Sequence, residues 1–160
     1  PEAAFKLTRA FAHTPAMPAV VELAFVQGTP TAINGVAMPF AELIDSLATI
    51  AGEHGAGRLE RIKHHASGSR SRVIYEAPAA AILHLAHGDL DQCVASGNLG
   101  RVSRSVAANY ADVIERGEWF DRLRLSLDAF VMTNQQPLNG SVRVKLFKGH
   151  CSVVGRTLTP

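Results

Sequence analysis

The sequence predicts an α+β domain in which an antiparallel sheet with terminal hairpins is packed by several helices. Three observations carry this prediction. Strand-like runs near both ends are broken by Asn34-Gly35 and Lys148-Gly149, dipeptides suited to tight hairpin turns. Helix-spaced apolar residues fill the middle, opened by Pro39 and Pro78. Strands are grouped at the ends rather than alternating with helices, which favours an antiparallel sheet.

Residues 1–18 hold Pro1, Pro15 and Pro18 with no steady period and read as an extended lead-in. Val20 to Phe25 is rich in β-formers, and Gly28 to Ile33 leads into Asn34-Gly35, so this stretch reads as a hairpin, with Gln27-Gly28 available as a second turn. From Pro39 to Glu53, Phe40, Leu43, Ile44, Leu47 and Ile50 recur at helical spacing, and Gly55 and Gly57 end the helix.

Residues 58–72 form a flexible basic strand-loop, and Val73-Ile74-Tyr75 form a short strand. Pro78 opens a helix running to about Ala95. Residues 96–105 read as a polar, glycine-containing connection, and Val106 to Arg116 as a helix. Asp121 can cap a further helix through about Asn134. Trp119-Phe120 is expected in the core. Val142, Val144 and Leu146 alternate with Arg143 and Lys145, Lys148-Gly149 turns the chain, and Cys151 to Val154 returns as a terminal hairpin.

With 160 residues the chain fits one domain, residues 1–160, and its hydrophobic fraction of 47% is that of a globular protein. It opens on Pro1 and is expected to be a piece of a longer protein. No apolar run reaches the ~18 residues of a membrane span, and no leader pattern opens the chain. Cys93 and Cys151 make no disulfide framework, which fits a reduced, cytoplasmic protein. The net charge of +2 permits a phosphate-bearing partner without requiring one.

No P-loop, G-x-G-x-x-G, nucleophile elbow or metal motif is present. His84 and His87 lie three apart on a helix, but no carboxylate or cysteine stands at matching spacing, so no metal is assigned. His64 and His65 are adjacent and would point to opposite faces of a strand. The segment with Arg58, Arg61, Lys63, Arg70 and Arg72 holds one acid, Glu60, and suits an oxyanion ligand. Nucleic acid is disfavoured, because few aromatics are available to stack on bases.

The string GRLERIKHHASGSRSRVIYEAP is similar to the argininosuccinate synthase signature, roughly G-R-[IL]-D-x-V-E-N-R-x-x-G-x-K-S-R-x-x-Y-E-x-P. The matching residues are Gly57, Arg58, Leu59, Glu60, Gly68, Ser71, Arg72, Tyr75, Glu76 and Pro78. The resemblance extends in order through FVQGTPTAING, Ala86-His87, YADVIERGEWF and GSVRVKLFKGHCSVVGR, covering nearly the whole chain.

The resemblance implies the C-terminal domain of a homo-oligomeric ligase of arginine biosynthesis, joining citrulline to aspartate through an adenylated intermediate. ATP with Mg²⁺ would be bound by an N-terminal nucleotide-binding domain through an S-G-G-x-D loop that these residues lack. No cofactor is expected in this chain, and its inward-facing partner is a small-molecule substrate. The resemblance assigns substrate binding to Tyr75 and to the position of a family glutamate, here Lys63, with Arg58, Ser69, Arg70, Ser71 and Arg72 around the pocket. The next two family positions, Asn and Arg, are His64 and His65. Lysine only donates where glutamate accepts, so a substrate bearing an extra carboxylate suits the site better. Two other readings stand beside this one: an oligomerisation or regulatory module without catalysis, and a basic ligand- or nucleic-acid-binding domain.

Overall fold

The computed structural model describes residues 2–64 and 67–159, with the side chains of Ala3 and His64 left aside. The elements are β1 (Ala19–Val26), β2 (Thr29–Ile33), β3 (Val36–Ala37), α1 (Phe40–Glu53), β4 (Arg58–His64), β5 (Arg70–Glu76), α2 (Pro78–Val94), α3 (Gly97–Glu115), α4 (Arg122–Gln135), β6 (Gly140–Phe147) and β7 (His150–Leu158). The predicted α+β class is what the structure has. Five strands form one antiparallel sheet in the order β3-β2-β1-β6-β7, and β4 and β5 form a separate two-stranded ribbon.

The hairpin turns follow from backbone chemistry. Asn34-Gly35 (φ +50° and +79°) and Lys148-Gly149 (φ +50° and +81°) each supply two left-handed residues, the geometry that matches strand twist in a two-residue turn. Both candidate turns of the first hairpin are used, so β1, β2 and β3 form a meander. The terminal strands meet through β1 and β6, where Val21 opposes Val144 and Leu23 opposes Val142.

One sheet face is dry. Val21, Leu23 and Phe25 of β1 and Val142, Val144 and Leu146 of β6 point at Leu43 and Leu47 of α1 and Ile82, Ala86 and Leu90 of α2. Burying each of the larger side chains contributes roughly 1.5–3 kcal/mol, so this layer holds the fold. The end of α1 is tied to the β6–β7 turn, where the Gly149 N–H donates to the His54 carbonyl at 2.8 Å.

Three sequence expectations are corrected. The basic strand-loop is more regular than expected: Arg58–His64 is a full strand paired with Arg70–Glu76. The connection at 96–105 is instead the first half of α3, whose Ser96 side chain caps the Leu99 N–H at 3.3 Å. Trp119 and Phe120 lie outside the core, 51% and 93% exposed, at the tip of an arm made by α3 and α4. That arm is braced internally. The Tyr110 hydroxyl donates to Asp128 at 2.7 Å, Arg124 pairs with the same carboxylate, and the Arg124 guanidinium lies 4.8 Å from the Trp119 ring centre. Asp121 caps α4 as expected, accepting from the Leu123 N–H at 2.6 Å. The lead-in contains two short 3-10 turns, Glu2–Ala4 and Phe11–His13.

Candidate functional site: the open ribbon

The β4–β5 ribbon leaves and rejoins the body at a single crossing. Gly57 has φ +104°, and a Cβ there would fall 2.2 Å from the Pro78 Cα, so only glycine fits. The Ala77 N–H donates to the Gly57 carbonyl at 2.8 Å and closes the base. Beyond this neck the ribbon pairs mainly with itself, and Leu59, Ile62, Ile74 and Tyr75 are all exposed.

Register decides which of the sequence-predicted residues can act together. Leu59 opposes Tyr75, Arg61 opposes Val73 and Lys63 opposes Ser71. Side chains alternate along a strand, and directly opposed residues share a face, so these six form one face of the ribbon. Tyr75 and Lys63 therefore stand on the same surface, about 13 Å apart along the strand at ~3.3 Å per residue. Tyr75 is 44% exposed, and its hydroxyl has no hydrogen-bond partner among the described residues. Lys63 reaches Glu115 at the end of α3, with Nζ 3.5 Å from a carboxylate oxygen.

Arg58, Arg70 and Arg72 lie on the opposite face. Arg72 forms a bidentate pair with Glu60, at 2.7 and 2.8 Å. The hydrogen bond from Arg72 holds the Glu60 carboxyl below its ordinary value. Ser69 precedes β5 with its hydroxyl 2.9 Å from that of Ser67. His65 lies outside the described residues.

Arg58 is engaged within the chain. Its guanidinium donates to the Thr8 hydroxyl (2.8 Å), to the Thr8 and Arg9 carbonyls (3.2 and 3.3 Å) and to Glu2 (3.0 Å), and stacks 3.8 Å from the Phe5 ring centre. Directly across from it, Glu76 accepts from the Lys6, Leu7 and Thr8 N–H groups at 2.8, 3.1 and 2.9 Å and from the Thr8 hydroxyl at 2.6 Å. Burial pushes the Glu76 carboxyl up, but these bonds, led by the Thr8 hydroxyl, together hold it below its ordinary value. Glu76 and Arg58 thus clasp the N-terminal segment against the ribbon that carries Tyr75.

Glu76, Thr8 and Glu115 had no assigned role in the sequence reading, and Arg61 entered it only as one of the basic run. Glu76 was visible there as the residue after Tyr75. Its partners, 68–70 positions away, were not.

A second concavity lies where the β1–β2 turn, α2, α3 and α4 meet. His87 faces it and shares a 2.6 Å hydrogen bond with Gln135, its ring edge-on to Phe25. This contact ties α2 to α4. Among the described residues no group of three His, Cys, Asp or Glu side chains could hold a metal ion. No helix of the described chain is long and apolar enough to cross a membrane.

Comparison with known proteins places this geometry in context. The family model described as Arginosuccinate synthase C-terminal domain matches residues 1–159. An argininosuccinate synthase of Chlorobium chlorochromatii is 45% identical over 157 residues, covering 98% of this chain and 39% of that protein. Those of Synechococcus elongatus and Nostoc punctiforme are 42% and 38% identical over 156 and 157 residues, with the same coverage. The chain therefore spans about two-fifths of the length of these relatives.

Proposed function

The chain belongs to the argininosuccinate synthase family, matching its C-terminal domain, and from that premise we propose that the β4–β5 ribbon is one wall of the ureido-acid pocket of an AMP-forming carbon–nitrogen ligase. In such a ligase the ureido oxygen of citrulline, or of a related ureido acid, attacks the α-phosphorus of ATP. An O–P bond forms and pyrophosphate leaves. The amine of aspartate then attacks the ureido carbon, and AMP departs with the C–O bond electrons. No residue of this chain is assigned to ATP or Mg²⁺, since the sequence holds no S-G-G-x-D loop. They belong to an N-terminal nucleotide-binding domain that closes over this wall. A role in arginine biosynthesis in the cytoplasm follows from the same premise.

The carrying observation is the register that sets Tyr75, Ser71 and Lys63 on one open face. On this reading the Tyr75 hydroxyl donates to a substrate carbonyl or carboxylate, and Lys63 holds negative charge. The Lys63–Glu115 pair competes weakly with a ligand, because both side chains are at least half exposed and such pairs contribute about 0–1 kcal/mol. The test uses the intact ligase containing this domain. Lys63→Glu is expected to raise kcat/KM for citrulline in a pyrophosphate-release assay, and unchanged citrulline kinetics would count against Lys63 lining the pocket.

A second reading, a homo-oligomerising module, is favoured by the α3–α4 arm. Along it, Trp119, Phe120, Leu123, Leu125 and Met132 are all exposed. Exposed apolar groups concentrated on one projection mark an interface more often than a solvated surface. Both roles can belong to one domain.

A further inference from the structure

The two faces of the ribbon differ in charge balance. The face turned away from Tyr75 carries Arg58, Arg70 and Arg72 with the carboxylates Glu60 and Glu76; Arg58 and Arg72 pair with Glu2 and Glu60, and Arg70 has no acid partner among the described residues. The face that carries Tyr75 holds Leu59, Arg61, Lys63, Ser71, Val73 and Tyr75, which makes two cations and no carboxylate. Glu115 reaches Lys63 from α3. Arg61 is exposed and forms no ion pair or hydrogen bond among the described residues.

Position adds to charge. Arg61 is the middle residue of the three on β4, so it lies about 7 Å along the strand from both the Tyr75 row and the Lys63 row. An arginine fork beside a lysine matches a carboxylate, which accepts two parallel N–H bonds and a third from the ammonium. The same pair repels a substrate ammonium group brought to that point. A molecule lying along this face thus meets a neutral hydroxyl at one end and, toward the other, the unpaired Arg61 and Lys63, whose charge is shared weakly with Glu115.

We infer that Arg61 is a specificity-determining residue of this face, and that with Lys63 it selects a ureido acid presenting a carboxylate and no free ammonium group, over an α-amino acid such as citrulline. This rests on the ribbon being the pocket wall proposed above. The ureido group lies toward Tyr75, and the carboxylate bridges Arg61 and Lys63.

The test is a pyrophosphate-release assay on the intact ligase with ATP, Mg²⁺ and aspartate, comparing citrulline with N-acetylcitrulline, which keeps the ureido and carboxylate groups and loses the ammonium. The unmodified protein is expected to prefer N-acetylcitrulline by at least tenfold in kcat/KM. Arg61→Gln is expected to erase most of that preference through KM, with kcat little changed and the circular dichroism melt unaltered. Tyr75→Phe, run alongside, is expected to weaken both substrates. If Tyr75→Phe weakens both but Arg61→Gln leaves the ratio unmoved, the selectivity assignment falls and the pocket stands. If Tyr75→Phe also changes nothing, the pocket itself falls. A preference for citrulline in the unmodified protein, or no calorimetric binding of N-acetylcitrulline, overturns the inference.

Discussion

Replacing Glu76 by alanine removes one carboxylate and strands four donors, and the structure allows the cost to be apportioned. The Lys6 and Leu7 N–H groups are bonded at exposed positions, where water can take over. The Thr8 N–H and hydroxyl are bonded in a partly buried setting, and Thr8 itself is 5% exposed. Charge-assisted bonds of this second kind contribute about 1.5 kcal/mol each, so the total is roughly 2–3 kcal/mol. For a domain of this size that lowers Tm by about 5–10 °C. Glu76→Gln keeps one acceptor and should cost about half as much. Thermal and urea melts of the 160-residue chain measure both. The pH dependence has a definite sign: the folded pKa of Glu76 is lowered, so its contribution is fully present above the unfolded carboxylate value of about 4.3 and is lost as pH falls through the folded value. A Glu76→Ala variant within ~0.5 kcal/mol of the parent chain would refute the clasp as an energetic element.

Gly57→Ala puts a methyl group 2.2 Å from the Pro78 Cα at φ +104°. It should cost about 3 kcal/mol or more and tilt the ribbon, read as a lowered urea midpoint with lost ureido-acid turnover in the intact ligase. Phe120→Asp, at a side chain 93% exposed, should leave the melt within ~0.5 kcal/mol yet weaken self-association in sedimentation velocity. An unchanged assembly would remove the arm from the interface.

Most of the sheet and three of the four long helices were legible because their punctuation is local. Asn34-Gly35, Pro39, Pro78, Asp121 and Lys148-Gly149 each dictate backbone geometry within a few residues. The ribbon strand β4 was not legible. In RLERIKH the apolar residues Leu59 and Ile62 are three apart, which hides the period of two, and the pairing that makes it a strand comes from residues 70–76. The first half of α3 was masked by Gly97 and Gly100, whose poor helix propensity is outweighed by the Ser96 cap and by continuity with a helix that packs against α4. Trp119 and Phe120 looked like core because size and apolarity say nothing about where an arm ends. The candidate site was legible as chemistry through Tyr75 and the basic run. Its division into two faces was not, because that depends on strand register.

The central claim is that Tyr75 touches the ureido acid from an exposed ribbon face. Its most direct test is ureido-acid-dependent pyrophosphate release by the intact ligase carrying Tyr75→Phe, with folding checked by the same melt. The account predicts at least a tenfold loss in kcat/KM for the preferred ureido acid at unchanged stability. Full activity in that variant would contradict it.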